Sequence, residues 1–184
     1  MKSIPVKLVA RVILFCSIAW QVSAAQKDVP FKYETDSFQV RLVPQKSEQI
    51  AAFYEGRGFS KQTIKLINTA CFITVLIRNK GPKVIWLELN NWQFSSEKGT
   101  ITRNHRSHWK KLMDENQVPL AHQATFGWTQ LPETRDLQPN EPVGGNITFV
   151  KTQAPMNITA RFKTGANKDG KEIVVSFKDV QCQD

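Results

Sequence analysis

All three histidines of this chain, His105, His108 and His122, fall in one stretch with Met113 among them. Imidazole and thioether are ligands that copper and zinc accept, and neighbours on a loop can reach a single ion. No second closely spaced pair completes the His105, His108 pair, so a copper or zinc site is held as an alternative reading. The same stretch is basic and aromatic, with Arg103, Arg106, Lys110 and Lys111 around Trp109. That combination suits phosphates, acidic glycans or an acidic protein face, and its bland counterpart is a solvated helix start with one buried tryptophan. Trp128, beside Gly127, can offer an aromatic face to a partner or pack over an edge of the fold. The binding candidates are therefore Arg103, Arg106, Trp109, Lys110 and Trp128.

Catalytic patterns are sparse. Gly144 and Gly145 lack the further glycines and the lysine of a phosphate cradle, and no serine stands in a G-x-S-x-G context. Glu133 and Asp136 bracket Arg135, a spacing that predicts mutual ion pairing rather than acid-base chemistry. The expectation is a non-catalytic binding or envelope-associated module with no cofactor, copper or zinc being the alternative.

Residues 1–25 read as a cleaved secretory signal: Lys2, Lys7 and Arg11, an apolar run from Val12 to Trp20, then Ser23, Ala24 and Ala25, with cleavage expected near Ala24 or Ala25. The apolar run is short for a membrane span and no later one approaches the length a span needs. A soluble mature chain, periplasmic or secreted, follows. Phe15 precedes Cys16 where a lipid-anchor signal needs a small residue, so Cys16 is expected to leave with the leader. Cys71 and Cys182 are then the one pair left in an oxidising compartment, and a bridge within the chain can join them in one way only. The leader carries three of the nine net positive charges. Export sets nucleic acid aside; the expected partner is a protein or an anionic envelope component.

The elements that must position these side chains are mostly strands in a single domain over residues 26–184. Phe38, Val40 and Leu42 alternate with polar residues and predict a strand stopped by Pro44. Residues 47–68 predict a helical insert: Ile50, Phe53 and Tyr54 have helical spacing, and Ser60 can cap a second short helix carrying Ile64 and Ile67. Cys71 to Asn79 is apolar on both faces, as a covered central strand requires. Three adjacent strands are expected across Val84 to Leu89, Trp92 to Phe94 and Ile101 to Arg103, with Trp86 and Trp92 in the core. The span 103–140 reads as an irregular excursion containing one short helix at Trp109, Leu112 and Met113, ordered elsewhere by its own Leu120, Phe126, Trp128 and Leu131. Strands return at Asn146 to Lys151, Met156 to Thr164 and Glu172 to Val180.

The string ITVLIRNKGPKVIWLELNNWQFSSEKG followed by LQPNEPVGGNITF resembles the telokin-like immunoglobulin-fold modules of exported bacterial proteins. The positions that carry the likeness are Val75, Ile77, Asn79, Gly99, Pro139, Glu141 and Gly145, within residues 71–163. The flanking AAFYEGRGF and TFGWTQLPETRDLQP look like an uncharacterised group of exported bacterial proteins. The resemblance implies fold and compartment, an antiparallel immunoglobulin-like sandwich with short helical insertions, and transfers no catalytic residue.

Overall fold

The computed structural model describes residues 31–183, so the leader expected over 1–25 lies outside the described residues. The chain opens on a hairpin of β1 (Phe31–Glu34) and β2 (Phe38–Gln45), whose turn is closed where the Phe38 amide donates to the Thr35 hydroxyl at 3.1 Å. Phe38, Val40 and Leu42 are buried and alternate with half-exposed Gln39 and Arg41, the period-2 pattern of a strand with one face in the core. Pro44 does not end β2; it continues the strand opposite Ile73, past the residues that β1 covers. At that point no described strand flanks β2 on its outer side, where a missing backbone donor is tolerated.

Two short helices follow as their patterns predict, α1 (Ser47–Glu55) and α2 (Lys61–Ile67). Gln49 caps α1 by accepting from the Lys46 amide at 3.1 Å, and the Ser60 hydroxyl caps α2 by accepting from the Thr63 amide at 3.1 Å. Next come β3 (Ala70–Asn79), β4 (Ile85–Glu88), a single 3-10 turn at Leu89–Asn91, β5 (Gln93–Ser96), β6 (Gly99–Thr100) and β7 (Arg103–Asn104). Then α3 (Arg106–Glu115), α4 (Leu120–Thr129) and β8 (Thr134–Leu137) lead to β9 (Pro142–Val150), β10 (Met156–Thr164) and β11 (Ile173–Val180).

The chain is mainly β, in two antiparallel sheets. One runs β1-β2-β3-β9-β7; the other runs β6-β5-β10-β4-β8, with β11 along the remaining side of β10. Of the three strands expected side by side, the second and third meet only where the Ile101 amide donates to the Phe94 carbonyl at 2.9 Å, beyond the short β5–β6 pairing, and the first pairs with neither. β4 pairs with Phe162 to Thr164 and β5 with Asn157 to Thr159, so they are two halves of one interrupted strand lying along β10, while β7 crosses to the first sheet. The two sheets enclose one core that includes Val40, Ile73, Val75, Phe149, Leu87, Phe94, Ile158 and Phe162. Trp92 belongs to it, as expected. Trp86 does not: it lies half-buried on the opposite side of β4, its indole donating to the Gly165 carbonyl at 2.8 Å with the Lys168 ammonium 4.7 Å above the ring.

The span 103–140 is regular rather than irregular, holding β7, α3, α4 and β8. Its punctuation misleads because Pro119 stands immediately before α4, where a helix needs no donor, and Gly127 sits near the helix's end. The four helices cover one end of the first sheet's outer face. There a second apolar cluster joins Ile50, Tyr54 and Ile67 to Phe72, Trp109, Met113 and Phe126, and this packing, more than propensity, holds such short helices. β3 is thus buried on both faces near Phe72, with Cys71, Ile73 and Val75 toward the sandwich core. The Cys71 and Cys182 sulfurs are bonded, their Cα atoms 5.5 Å apart, and tie the start of β3 to the tail after β11. Among the described residues no helix is long and apolar enough to cross a membrane.

Candidate binding face

The helical layer decides which of the candidate side chains can meet a ligand. Trp109, on α3, is 3% exposed. Its ring packs on Phe126 and Phe72, and its indole donates to the Thr148 hydroxyl at 2.8 Å. It is a core residue rather than an exposed one. Met113, one turn further along α3, is buried in the same cluster, so its thioether is unavailable as a metal ligand. Arg103 is also withdrawn from solvent: β7 turns it inward, and its guanidinium grips Glu133 through two hydrogen bonds of 3.0 and 2.5 Å. Burial pushes the Glu133 carboxyl up, but the hydrogen bonds and charge of Arg103 outweigh this and leave it below its ordinary value. The expected pairing of Arg135 with Glu133 and Asp136 does not form. Arg135 pairs with Glu141, and Asp136 accepts from the Gln138 side-chain Nε2 at 3.0 Å.

The histidines are dispersed. His105 precedes α3 with Nδ1 3.3 Å from the Arg103 guanidinium, His108 lies exposed one turn later, and His122 on α4 stacks on Phe59 with ring centroids 4.4 Å apart. Among the described residues no three His, Cys, Asp or Glu side chains are grouped to hold an ion.

Arg106, Lys110 and Trp128 remain on the surface. Between α3 and α4 runs a groove of about 240 Å³ floored by Trp109, Met113 and Phe126 and edged by Arg106, Lys110 and Gln123. The Arg106 guanidinium donates to the Gln130 carbonyl at 2.8 Å, and the Lys110 ammonium lies 2.6 Å from Asp114. Gly127 borders the groove, and a side chain there would meet nothing within 4 Å, so crowding does not demand the glycine; its absence of bulk keeps the groove wall low. Next to it Trp128 is 89% exposed. Leu120, 79% exposed, and exposed Ala124 stand eight and four residues before Trp128 and therefore share its helix face. Leu120, expected to order this segment by packing, is exposed instead, and of the two readings open for Trp128 the exposed aromatic face is the one observed. The missed feature was α4 itself; the 120, 124, 128 spacing was its available signal.

No protein-family model and no curated protein matches this chain. Among solved structures it is similar to the Bacillus subtilis yjhA protein, at a TM-score of 0.44 and 11% identity over 81% of this chain and 97% of that one. It is similar also to the Bacillus subtilis ycdA protein, at a TM-score of 0.42 and 10% identity over 80% of this chain and 38% of that one. A conserved hypothetical protein of Bacillus anthracis aligns at a TM-score of 0.32 and 15% identity over 82% of this chain and 92% of that one. Similarity at this level leaves the site to be argued from its own residues.

Proposed function

We propose that this chain is an exported, non-catalytic binding module of immunoglobulin-like sandwich type, whose contact face is the groove between α3 and α4 together with Trp128. The single observation that carries the reading is the exposure of Trp128. A tryptophan left almost wholly in water beside an apolar-floored groove forgoes a large burial free energy, and exposed tryptophans of this kind are the anchors of binding surfaces. Arg106 and Lys110 at the groove edge suit an acidic partner, a protein or an anionic envelope component. Export is supported by the leader pattern and by the disulfide, a bond that persists in oxidising compartments. The immunoglobulin-like assignment is supported by strand order, β2-β3-β9 facing β11-β10-β4-β8.

The test is Trp128→Ala. Replacing a side chain that touches little should change stability by about 0.5 kcal/mol or less, roughly 2 °C in melting temperature. Immobilised wild-type protein should retain an envelope component from extracts that the variant does not. Equal retention by both proteins, or a fall in melting temperature of about 6 °C or more, would defeat the proposal.

A further inference from the structure

The helices cover the first sheet's outer face only at its Phe72 end, and beyond Thr74 that face is open. There Gln39 and Arg41 of β2, Leu76 and Arg78 of β3, and Pro142 and Gly144 of β9 line a groove of about 390 Å³. The register places Arg41 opposite Leu76 and Arg78 opposite Gln39, so the two arginines are diagonal neighbours within reach of one another. Lys32 of β1 stands directly opposite Arg41. Three cations on adjacent strands repel, and like charges in cross-strand positions oppose sheet formation. Among the described residues neither arginine has an acidic partner; Glu34, the acid on this part of the face, is held by Lys32 and by Lys80, the latter at 2.9 Å. Guanidinium groups are the donors best shaped to take an oxyanion with two parallel hydrogen bonds.

The floor is built as well as the rim. Gly144 lies opposite Leu76, and a Cβ there would stand 2.9 Å from a Leu76 methyl, so the glycine leaves room for that methyl in its present position. Leu76 is 38% exposed, an apolar surface beneath two cations. We propose that this groove binds a small ligand carrying a carboxylate or phosphate, its oxyanion gripped by Arg41 and Arg78 and its apolar part resting on Leu76 and Pro142. The site is separate from the α3–α4 face and does not depend on it.

Titration of isotopically labelled protein lacking residues 1–25, which retains every described residue of both apolar clusters, tests this by amide chemical shifts. The probes are inorganic phosphate and, separately, butyrate. Saturable shifts at residues 39–41, 76–78 and 142–144, with a Kd in the millimolar range or tighter, support the site, and the probe that binds identifies the oxyanion. Arg41→Gln should weaken binding about tenfold and the double variant with Arg78→Gln should abolish it. Without ligand at low salt, the double variant should melt no lower than wild type, because removing like charges relieves repulsion. Shifts from neither probe up to about 20 mM, unchanged shifts in the double variant, or a clear fall in its melting temperature, which would make the arginines structural, would each overturn the proposal.

Discussion

Two tryptophans on neighbouring helices should respond oppositely to truncation. Trp109→Ala removes a ring packed against Phe72 and Phe126, and truncating a buried tryptophan to alanine costs about 3 to 5 kcal/mol through lost burial and the cavity left behind. It also strips the Thr148 hydroxyl, itself buried, of the indole donor at 2.8 Å; an orphaned buried polar group costs about 1 to 3 kcal/mol. The sum, allowing for partial collapse of the site, is about 4 to 6 kcal/mol, a large share of a domain's roughly 5 to 15 kcal/mol. In melting temperature this is a fall of about 10 to 20 °C for a chain of this size. Trp109→Phe keeps much of the ring contact and loses the hydrogen bond, so it should cost about 1 to 3 kcal/mol and stay folded. Urea denaturation followed by far-ultraviolet circular dichroism gives the midpoints, with the slope checked for constancy. A cost below about 2 kcal/mol for the alanine variant, or one equal to that of Trp128→Ala, would refute the assignment of Trp109 to the core and of Trp128 to the surface.

Asn79 is fully buried and its amide donates to the carbonyls of Lys83, Leu137 and Gln138 while its oxygen accepts from the Gly81 amide; Asn79→Ala should cost about 3 kcal/mol or more in a urea titration. The depressed Glu133 carboxyl contributes stability that is present above its ordinary value of 4.5 and lost as pH falls through its lower folded-state value, so Glu133→Gln should flatten the acid limb of a stability-against-pH curve below about 4.5. Reducing the Cys71–Cys182 bridge, which closes a loop with a sequence separation of 111, should lower stability by about 4 to 5 kcal/mol on the chain-entropy model; unchanged urea midpoints with and without reductant would contradict this.

Elements that bury one face completely were readable in one dimension. β2, β3 and β10 show alternating or doubly apolar patterns because each faces the sandwich core along much of its length. The Ser60 cap marked the start of α2 because a helix end must satisfy its free amides locally. β1 was silent: only Phe31 is even partly buried, and a strand exposed at its other positions carries no periodicity. That β4 and β5 form one broken strand was equally hidden, since their shared partner, β10, lies far along the chain.

The candidate site divides in the same way. Residue types and their neighbourhood singled out the segment that holds the exposed groove, because the aromatic and basic character of residues 103–128 is a local property. Which members of that segment stay on the surface was decided only by packing: Trp109 and Met113 turn inward where Phe72 and Thr148 lie beneath α3, Arg103 turns inward to Glu133, and Arg106, Lys110 and Trp128 are left outside. Arg41 and Arg78 stand far apart in the chain and share a groove only through the register of β2 on β3. Composition and local spacing are written along one strand of text, so they carry the patterns of strand and helix. Burial and juxtaposition are properties of which surfaces meet, and they exist only once the sheets and helices have packed.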